Sequence, residues 1–384
     1  MKKGRQGAAW RVIEIMKECD VDIVLTLPCE KMKTLFHLVA SSQDFCHVPL
    51  TREENGVGIA AGVFLGGGRP VMLIQSTGLG NSINAIMSLS VTYGMALPVL
   101  ASWRGVHHEK IPAQIPLGRA LPQVLEALGL PYTVINDHTE VELVRDAILH
   151  AFENEAPHVV LISPRTWEDD PNVGAGVKFP ARRRLSALEY SMEIREPEMT
   201  RFDAIKVISE HLSDEVVVSN IGVPSKELFA VKDRPLNFYM LGSLGQASSI
   251  GLGLALKTKR EVFVLDGDGA LLMSGILPTV ADKSEAARNL TIFCLDNGTW
   301  GSTGDQPTHA YHQIDMELLA KASGIKNTMK AQTEEELREV LRSLHEVEGP
   351  RFVHVLVRPG NASVGNIPLT PTEIKDRFRK ALLG

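Results

Sequence analysis

Two mainly apolar runs, Val262 to Leu265 and Leu290 to Leu295, have the length and composition of strands buried on both faces of a parallel sheet. The residues between them can hold a crossover helix, which would make the two strands parallel neighbours. Apolar spacing over residues 7 to 18 predicts a helix leading into a strand at Val21 to Leu25, and residues 202 to 212 repeat the arrangement ahead of Val216 to Val218. Alternating strands and helices follow each opening. In the first half Val71 to Ile74 runs into a glycine loop, Gln75 to Asn81, placed as Asp266 to Gly269 is placed in the second. The pattern predicts a structural repeat without a repeated sequence: an α/β protein of two domains, each a mainly parallel sheet flanked by helices. Periodicity lapses between them, so the expected boundaries are a first domain at 1–170, a linker at 171–198 and a second domain at 199–384.

The two apolar runs of the second half end in Asp266-Gly267-Asp268-Gly269 and Asp296-Asn297-Gly298. Parallel neighbours would bring these tips to one sheet edge, the edge where open α/β sheets bind ligands, and the glycines allow a phosphate to approach backbone amides. Carboxylate, amide, carbonyl and phosphate oxygens together suit a hard cation such as Mg²⁺. A plain turn uses the same residue types. A calcium loop fails, because counting from Asp266 the later ligand positions fall on Ala270 and Leu277. A dinucleotide fingerprint fails on its glycine spacing.

Gly267-Asp268-Gly269 with the later Asn297 resembles the thiamine diphosphate motif of the 2-oxoacid decarboxylase superfamily. The resemblance implies thiamine diphosphate and Mg²⁺ as cofactors, with the cation held by Asp268, Asn297 and the backbone carbonyl of Thr299. Gly267, Gly269, Ala270, Trp300 and Gly301 would border the cofactor. Asp296 departs from the family, which often has a second asparagine there. Upstream, Leu241-Gly242-Ser243-Leu244-Gly245 resembles the segment that props the bent cofactor, so Gly242 and Ser243 would flank it and Leu244 would be the wedge; ordinary core packing is the alternative for Leu244. The first half would be the pyrimidine-binding domain and the second the diphosphate-binding domain, each with the family's fold, and the middle domain of larger members is missing.

The pyrimidine-binding domain should carry a glutamate for the cofactor's aminopyrimidine ring, with Gly78 of the glycine loop beside the cofactor. Glu53 and Glu54 compete. Thr51 and Glu54 have the spacing of a capping box, which would occupy Glu54, and the family's glycine nine residues on falls at Gly62 when counted from Glu53. The alternative is that both acids only favour the positive end of a helix. The chemistry requires these parts together: no side chain can delocalise the electron pair left when CO₂ departs a 2-oxoacid, so a thiazolium must take it up. Glu53 at the pyrimidine nitrogen turns the cofactor's amino group into the base that removes the C2 proton, a role suited to a partly buried glutamate. His107 and His108, with intrinsic pKa values near neutrality, are candidates for the proton donor that completes the aldehyde; an exposed polar loop is the alternative.

Composition narrows the setting. The 384 residues, 44% hydrophobic, provide for sizeable cores. The four cysteines, Cys19, Cys29, Cys46 and Cys294, form no Cys-x-x-Cys pair, which fits a reduced, cytoplasmic location and argues against zinc. The amino-terminal stretch is basic, but Arg11, Glu14 and Lys17 interrupt the apolar core a signal peptide needs, and no run approaches membrane-spanning length. A net charge of −6 argues against a general nucleic-acid surface, with Arg182-Arg183-Arg184 read as a solvated linker.

Over nearly its whole length the chain resembles a narrower subgroup containing sulfopyruvate and phosphonopyruvate decarboxylases, through Gln75 to Asn84, Ala101-Ser102-Trp103-Arg104-Gly105, Leu241 to Gly251 and Asp296 to Gly304. The last two segments look closer to the sulfopyruvate enzymes, whose two subunits would here be fused. Where phosphonopyruvate enzymes often carry Asp-Glu-Pro, this chain has Val106 to Pro112. The resemblance implies a small anionic 2-oxoacid substrate, 3-sulfopyruvate, converted to sulfoacetaldehyde and CO₂ as in coenzyme M biosynthesis. Arg104 and Lys110, with His107, would meet the sulfonate, and surface solvation is the alternative for the first two. It further implies a homodimer or homotetramer with active sites between chains. A phosphonopyruvate decarboxylase, an acetolactate-type carboligase and a degenerate cofactor-binding module remain alternatives.

Overall fold

The computed structural model describes residues 7–171 and 188–384; the first six residues and the basic run Arg182 to Arg184 lie outside the described residues. The chain divides into two compact units, one formed by the described residues before 172 and the other by those after 187 together with Leu65–Gly67. The first unit holds β1 (Ile23–Thr26), β2 (Cys46–Pro49), β3 (Pro70–Gln75), β4 (Leu97–Ser102), β5 (Tyr132–Ile135) and β6 (Pro157–Ile162). The second holds β7 (Val216–Ser219), β8 (Asn237–Tyr239), β9 (Val262–Gly267), β10 (Leu290–Asp296), a short pair β11 (Thr299–Trp300) and β12 (Gln306–Pro307), then β13 (Asn327–Ala331) and β14 (Arg351–Leu356).

Each unit is built on a six-stranded parallel sheet. The orders are β2-β1-β3-β4-β6-β5 and, read from the other end, β8-β7-β9-β10-β14-β13, which is the same winding twice. The central strands β4, β6, β10 and β14 are buried at every position, as strands covered by helices on both faces must be, whereas the edge strands β2, β5 and β13 are partly exposed. In the first unit the helix Ala8–Glu18 lays Val12, Ile15 and Met16 onto a core that includes Val24, Val71 and Leu100. In the second, Phe263 of β9 and Phe293 of β10 pack edge to face, 5.2 Å apart, and the edge strand β8 is covered where Phe378 of the helix Pro371–Leu383 meets Phe238 at 5.7 Å.

Two local expectations change. Gln75 to Asn81 is not a loop: the helix Ser76–Ala85 starts directly at the end of β3. Its glycines are there for close approach, since a Cβ on Gly78 would fall 2.2 Å from Oε1 of Glu53 and one on Gly80 would fall 2.8 Å from Leu117. The crossover from β9 to β10 is two short helices, Asp268–Ser274 and Leu277–Asp282, and the first begins at the aspartate itself. The described part of the expected linker lies along the second unit, where the Ser191 hydroxyl donates to Glu317 (2.9 Å) and the Gln332 side-chain amide donates to the Glu193 carbonyl (2.8 Å).

His158 on β6 gives the first unit a pH dependence of its own. Its Nε2 lies 2.9 Å from the Thr133 hydroxyl and its Nδ1 3.0 Å from His150; burial, then the His150 ring, lowers its pKa to about 4. The unfolded chain takes up a proton near the ordinary value of 6.5 and the folded chain does not. The stabilisation is therefore complete above pH 6.5 and is lost as the pH falls towards 4, with a magnitude on the order of 2 kcal/mol. Urea unfolding of His158→Gln at pH 7, 5.5 and 4 should show a flatter pH dependence than the parent; an unchanged slope refutes the assignment.

Candidate functional site

In both sheets the winding reverses direction next to the first strand, between β1 and β3 and between β7 and β9. Such a switch point opens a crevice at the carboxyl ends of the two strands. In the second unit the crevice is a cavity of about 280 Å³, lined on the β7 side by Asn220 and Gly222 and on the β9 side by Gly267 and Asp268, with Asn297 and Trp300 arriving from β10 and β11. Ala270, Thr299, Gly301 and Leu244 line it too. Trp300 lies so close to the backbone that a Cβ on Gly269 would be 2.6 Å from its ring.

The electrostatics of this cavity favour a cation. Asp268 is buried, and its pKa is pushed up to about 7, by burial first and then by Asp296, although the Thr308 hydroxyl donates to it. Asp266 beneath it is raised to about 6 by burial, against hydrogen bonds from the Ser248 hydroxyl (2.6 Å) and the Gly267 amide (3.0 Å). The Asn297 side-chain oxygen accepts from the Thr299 amide at 3.2 Å, while its buried Nδ2 has no partner. An ionisation disfavoured by burial and a neighbouring carboxylate, beside an unsatisfied amide, is what a bound cation and an oxyanion would relieve. Among the described residues no three His, Cys, Asp or Glu side chains are grouped to hold a metal. A cation here must draw on amide, carbonyl and diphosphate oxygens, the donor set Mg²⁺ accepts, so the residues fit the cofactor pair.

Leu244 is not a core side chain. It is 37% exposed at the cavity, between Ser243 at φ 66° and Gly245 at φ 86°, so two left-handed residues in succession around it hold an apolar side chain out of the protein interior. Gly242 and Ser243 precede it in the same turn, with the Ser243 hydroxyl buried and unpartnered.

In the first unit Glu53 is the first residue of the helix Glu53–Leu65. Glu54 beside it is paired with Arg52 at 2.5 Å. Glu53 is still the one set apart, with its carboxylate resting against the Cα of Gly78. The three expected cations differ in their surroundings. Arg104 is buried and bound through two nitrogens to Glu109 at 2.6 and 2.9 Å; Arg104 first of all, against burial, holds the Glu109 carboxyl down at about 2. Another Arg104 nitrogen donates to Gln75 at 3.3 Å. His107 at φ 44° and His108 at φ 58° form the turn between Arg104 and Glu109; His107 meets Glu168 at 2.8 Å, and His108 and Lys110 are exposed.

Sequence reasoning missed Arg201, Asn220 and Gly222. Arg201 lines the cavity while Glu227 (2.7 and 3.1 Å) and Asn361 (2.8 Å) fix its guanidinium. Nothing local pairs Arg201 with partners so distant in sequence. Asn220 and Gly222 were accessible, because they follow β7, the strand beside β9, at the same sheet edge.

Comparison with known proteins bears on both units. Residues 7–129 match the family model of the thiamine pyrophosphate enzyme N-terminal TPP-binding domain, and residues 222–355 match that of the C-terminal TPP-binding domain. The chain is 48% identical to a sulfopyruvate decarboxylase of Methanosarcina acetivorans over 97% of each chain. It is 32% identical to a phosphonopyruvate decarboxylase of Streptomyces viridochromogenes over 94% of this chain and 91% of that one. A two-subunit sulfopyruvate decarboxylase of Methanococcus maripaludis matches in pieces: its alpha subunit at 37% identity, covering 43% of this chain and 99% of the subunit, and its beta subunit at 44%, covering 48% and 98%. With a domain model matched in each half and likeness running end to end, the chain belongs to the family of thiamine pyrophosphate enzymes that includes these decarboxylases.

Proposed function

We propose that this protein decarboxylates 3-sulfopyruvate to sulfoacetaldehyde and CO₂, using thiamine diphosphate and Mg²⁺. The observation that carries the reading is the switch-point cavity of the second unit, where Asp268 and Asn297 converge in a chain 48% identical over nearly its full length to a sulfopyruvate decarboxylase. Asp268 and Asn297 through their side chains, and Thr299 through its carbonyl, would hold the cation. Gly267, Gly269, Ala270 and Gly301 let the diphosphate approach the backbone, and Arg201, its charge matched by Glu227, lines the same wall. Leu244 gives the cofactor an apolar wedge, and Glu53 of a second copy of the chain holds its pyrimidine nitrogen, with that copy's Gly78 making room for the carboxylate. When bound, thiamine diphosphate supplies the thiazolium that takes up the electron pair left by departing CO₂. His107, oriented by Glu168, is the candidate to return a proton at the former carbonyl carbon, with His108 beside it.

The charge around Arg104 supports sulfonate over phosphonate. Glu109 already matches the Arg104 charge, so Arg104 itself brings no surplus positive charge for a group that can carry two negative charges. A sulfonate carries only one. Pyruvate lacks the anionic tail and would leave polar groups unpaired, a cost of about 1–3 kcal/mol or roughly tenfold to a hundredfold in rate. Steady-state comparison of the three acids at matched Mg²⁺ and thiamine diphosphate should give sulfopyruvate the highest kcat/KM; a higher value for phosphonopyruvate or pyruvate overturns the substrate assignment.

A further inference from the structure

Asp296, the residue that departs from the family pattern, has a partner that no local reading of the sequence supplies. His354 on β14 is fully buried and sits one strand away from β10, with Nε2 2.7 Å from Oδ2 of Asp296. The other Asp296 oxygen, Oδ1, accepts from the Gly298 amide at 2.9 Å. Gly298 is in the left-handed region at φ 65°, and its carbonyl accepts from the Thr308 amide at 2.7 Å, while the Thr308 hydroxyl donates to Asp268. One carboxylate thus joins the turn Asn297-Gly298-Thr299 to an imidazole in the sheet interior. That imidazole is itself backed: Nδ1 is 3.7 Å from Oδ1 of Asp315, whose Oδ1 accepts from the Leu318 amide (3.0 Å) and whose Oδ2 meets Lys330 at 2.6 Å.

A buried carboxylate held on one side only could rotate about its side-chain bonds and release the Gly298 amide. Held on both sides, by the sheet through His354 and by the turn through Gly298, it has one orientation. The turn it sets carries the amide of Asn297 and the carbonyl of Thr299 on either side of Gly298. We propose that His354 is a positioning residue for the cation site: by holding Asp296 it fixes the turn that presents Asn297 and Thr299, and it touches neither the cation nor the substrate. The Asp296–His354 pair thereby takes the place of the neutral second asparagine. This inference rests on the Mg²⁺ and thiamine diphosphate reading given above.

The test is Mn²⁺ binding to the full chain, followed by electron paramagnetic resonance in the presence of thiamine diphosphate, with cofactor binding followed separately by tryptophan fluorescence. Outer residues that orient metal ligands typically contribute tenfold to a hundredfold in metal affinity. His354→Leu, or His354→Asn if the leucine variant does not fold, should weaken Mn²⁺ binding by about tenfold or more. The Mg²⁺ concentration for half-maximal activity should rise with it, while kcat at saturating Mg²⁺ stays within about threefold. Combining Asp296→Asn with the His354 change should be no worse than the larger single effect, because both act through one contact. Unaltered Mn²⁺ affinity in a folded His354 variant, or losses that add in the double variant, overturns the proposal. If the unmodified chain binds neither Mn²⁺ nor thiamine diphosphate, the cofactor reading itself has failed, and that outcome is distinct from a parent that binds both while the variants bind equally well.

Discussion

Asp268→Ala is expected to lose Mg²⁺-dependent binding of thiamine diphosphate and with it all turnover. Asp268 is the one carboxylate in the proposed ligand set, and its removal leaves the Asn297 amide and the Thr299 carbonyl, two neutral oxygens, to hold a strongly hydrated dication. A hard cation and its bound phosphate depend on that charge by several kcal/mol, so the affinity should fall by about a thousandfold or more. The apo protein should keep its melting temperature. Asp268 is buried beside Asp296, which disfavours its charge, so the fold gains little from it. Titration calorimetry of the two proteins with thiamine diphosphate, with and without Mg²⁺, separates these effects: a variant that binds as tightly as the parent removes Asp268 from the site, and one that fails to fold shows a structural role instead.

Glu53→Gln is expected to keep cofactor binding and to lose about a hundredfold to ten-thousandfold in kcat, the range for a single positioned acid-base group. Glutamine fills the same space against Gly78 but cannot ionise or pass a proton to the pyrimidine nitrogen. Glu54→Gln should retain activity and cost under about 1 kcal/mol of stability, since it loses only a partly exposed ion pair with Arg52. Gly78→Ala should resemble Glu53→Gln, because the new methyl group occupies the position of the Glu53 carboxylate and pushes it aside. Exchange of the thiazolium C2 proton into D₂O, measured on the loaded enzyme, reads this role directly. Equal loss of exchange in the Glu53 and Glu54 variants would refute the assignment of Glu53.

What was legible in the sequence is what depends on short stretches of chain. Strand length and apolar continuity identified β9 and β10, and a parallel crossover then brings their carboxyl ends to one edge whatever the rest of the protein does. Asp268 and Asn297 were therefore accessible as a pair. Glu53 was accessible through its spacing to Gly62, while the pairing of Glu54 with Arg52 was no part of that reading. Glycines could be read as places of close approach, but whether the approach was a phosphate to backbone or one side chain to another was not encoded locally. Gly78 and Gly80 serve a helix packed against Glu53 and Leu117, where a loop was expected.

Tertiary structure alone decided how charges are paired and which apolar side chains stay uncovered. Arg104 was readable as a cation, but not the turn through three positive-φ residues, Gly105, His107 and His108, that brings Glu109 back onto it. Leu244 has the composition of a core residue and is held outside the core by the backbone on either side of it. Arg201 meets Glu227, and Asp296 meets His354, across 26 and 58 positions of chain, because strand order and helix placement make them neighbours. Hydrophobic periodicity reports only which face of an element is buried, and that determines the sheets and the edge where the site forms. A buried charge must find its counterpart wherever the fold brings one within about 3 Å, and that choice is made between elements remote in sequence.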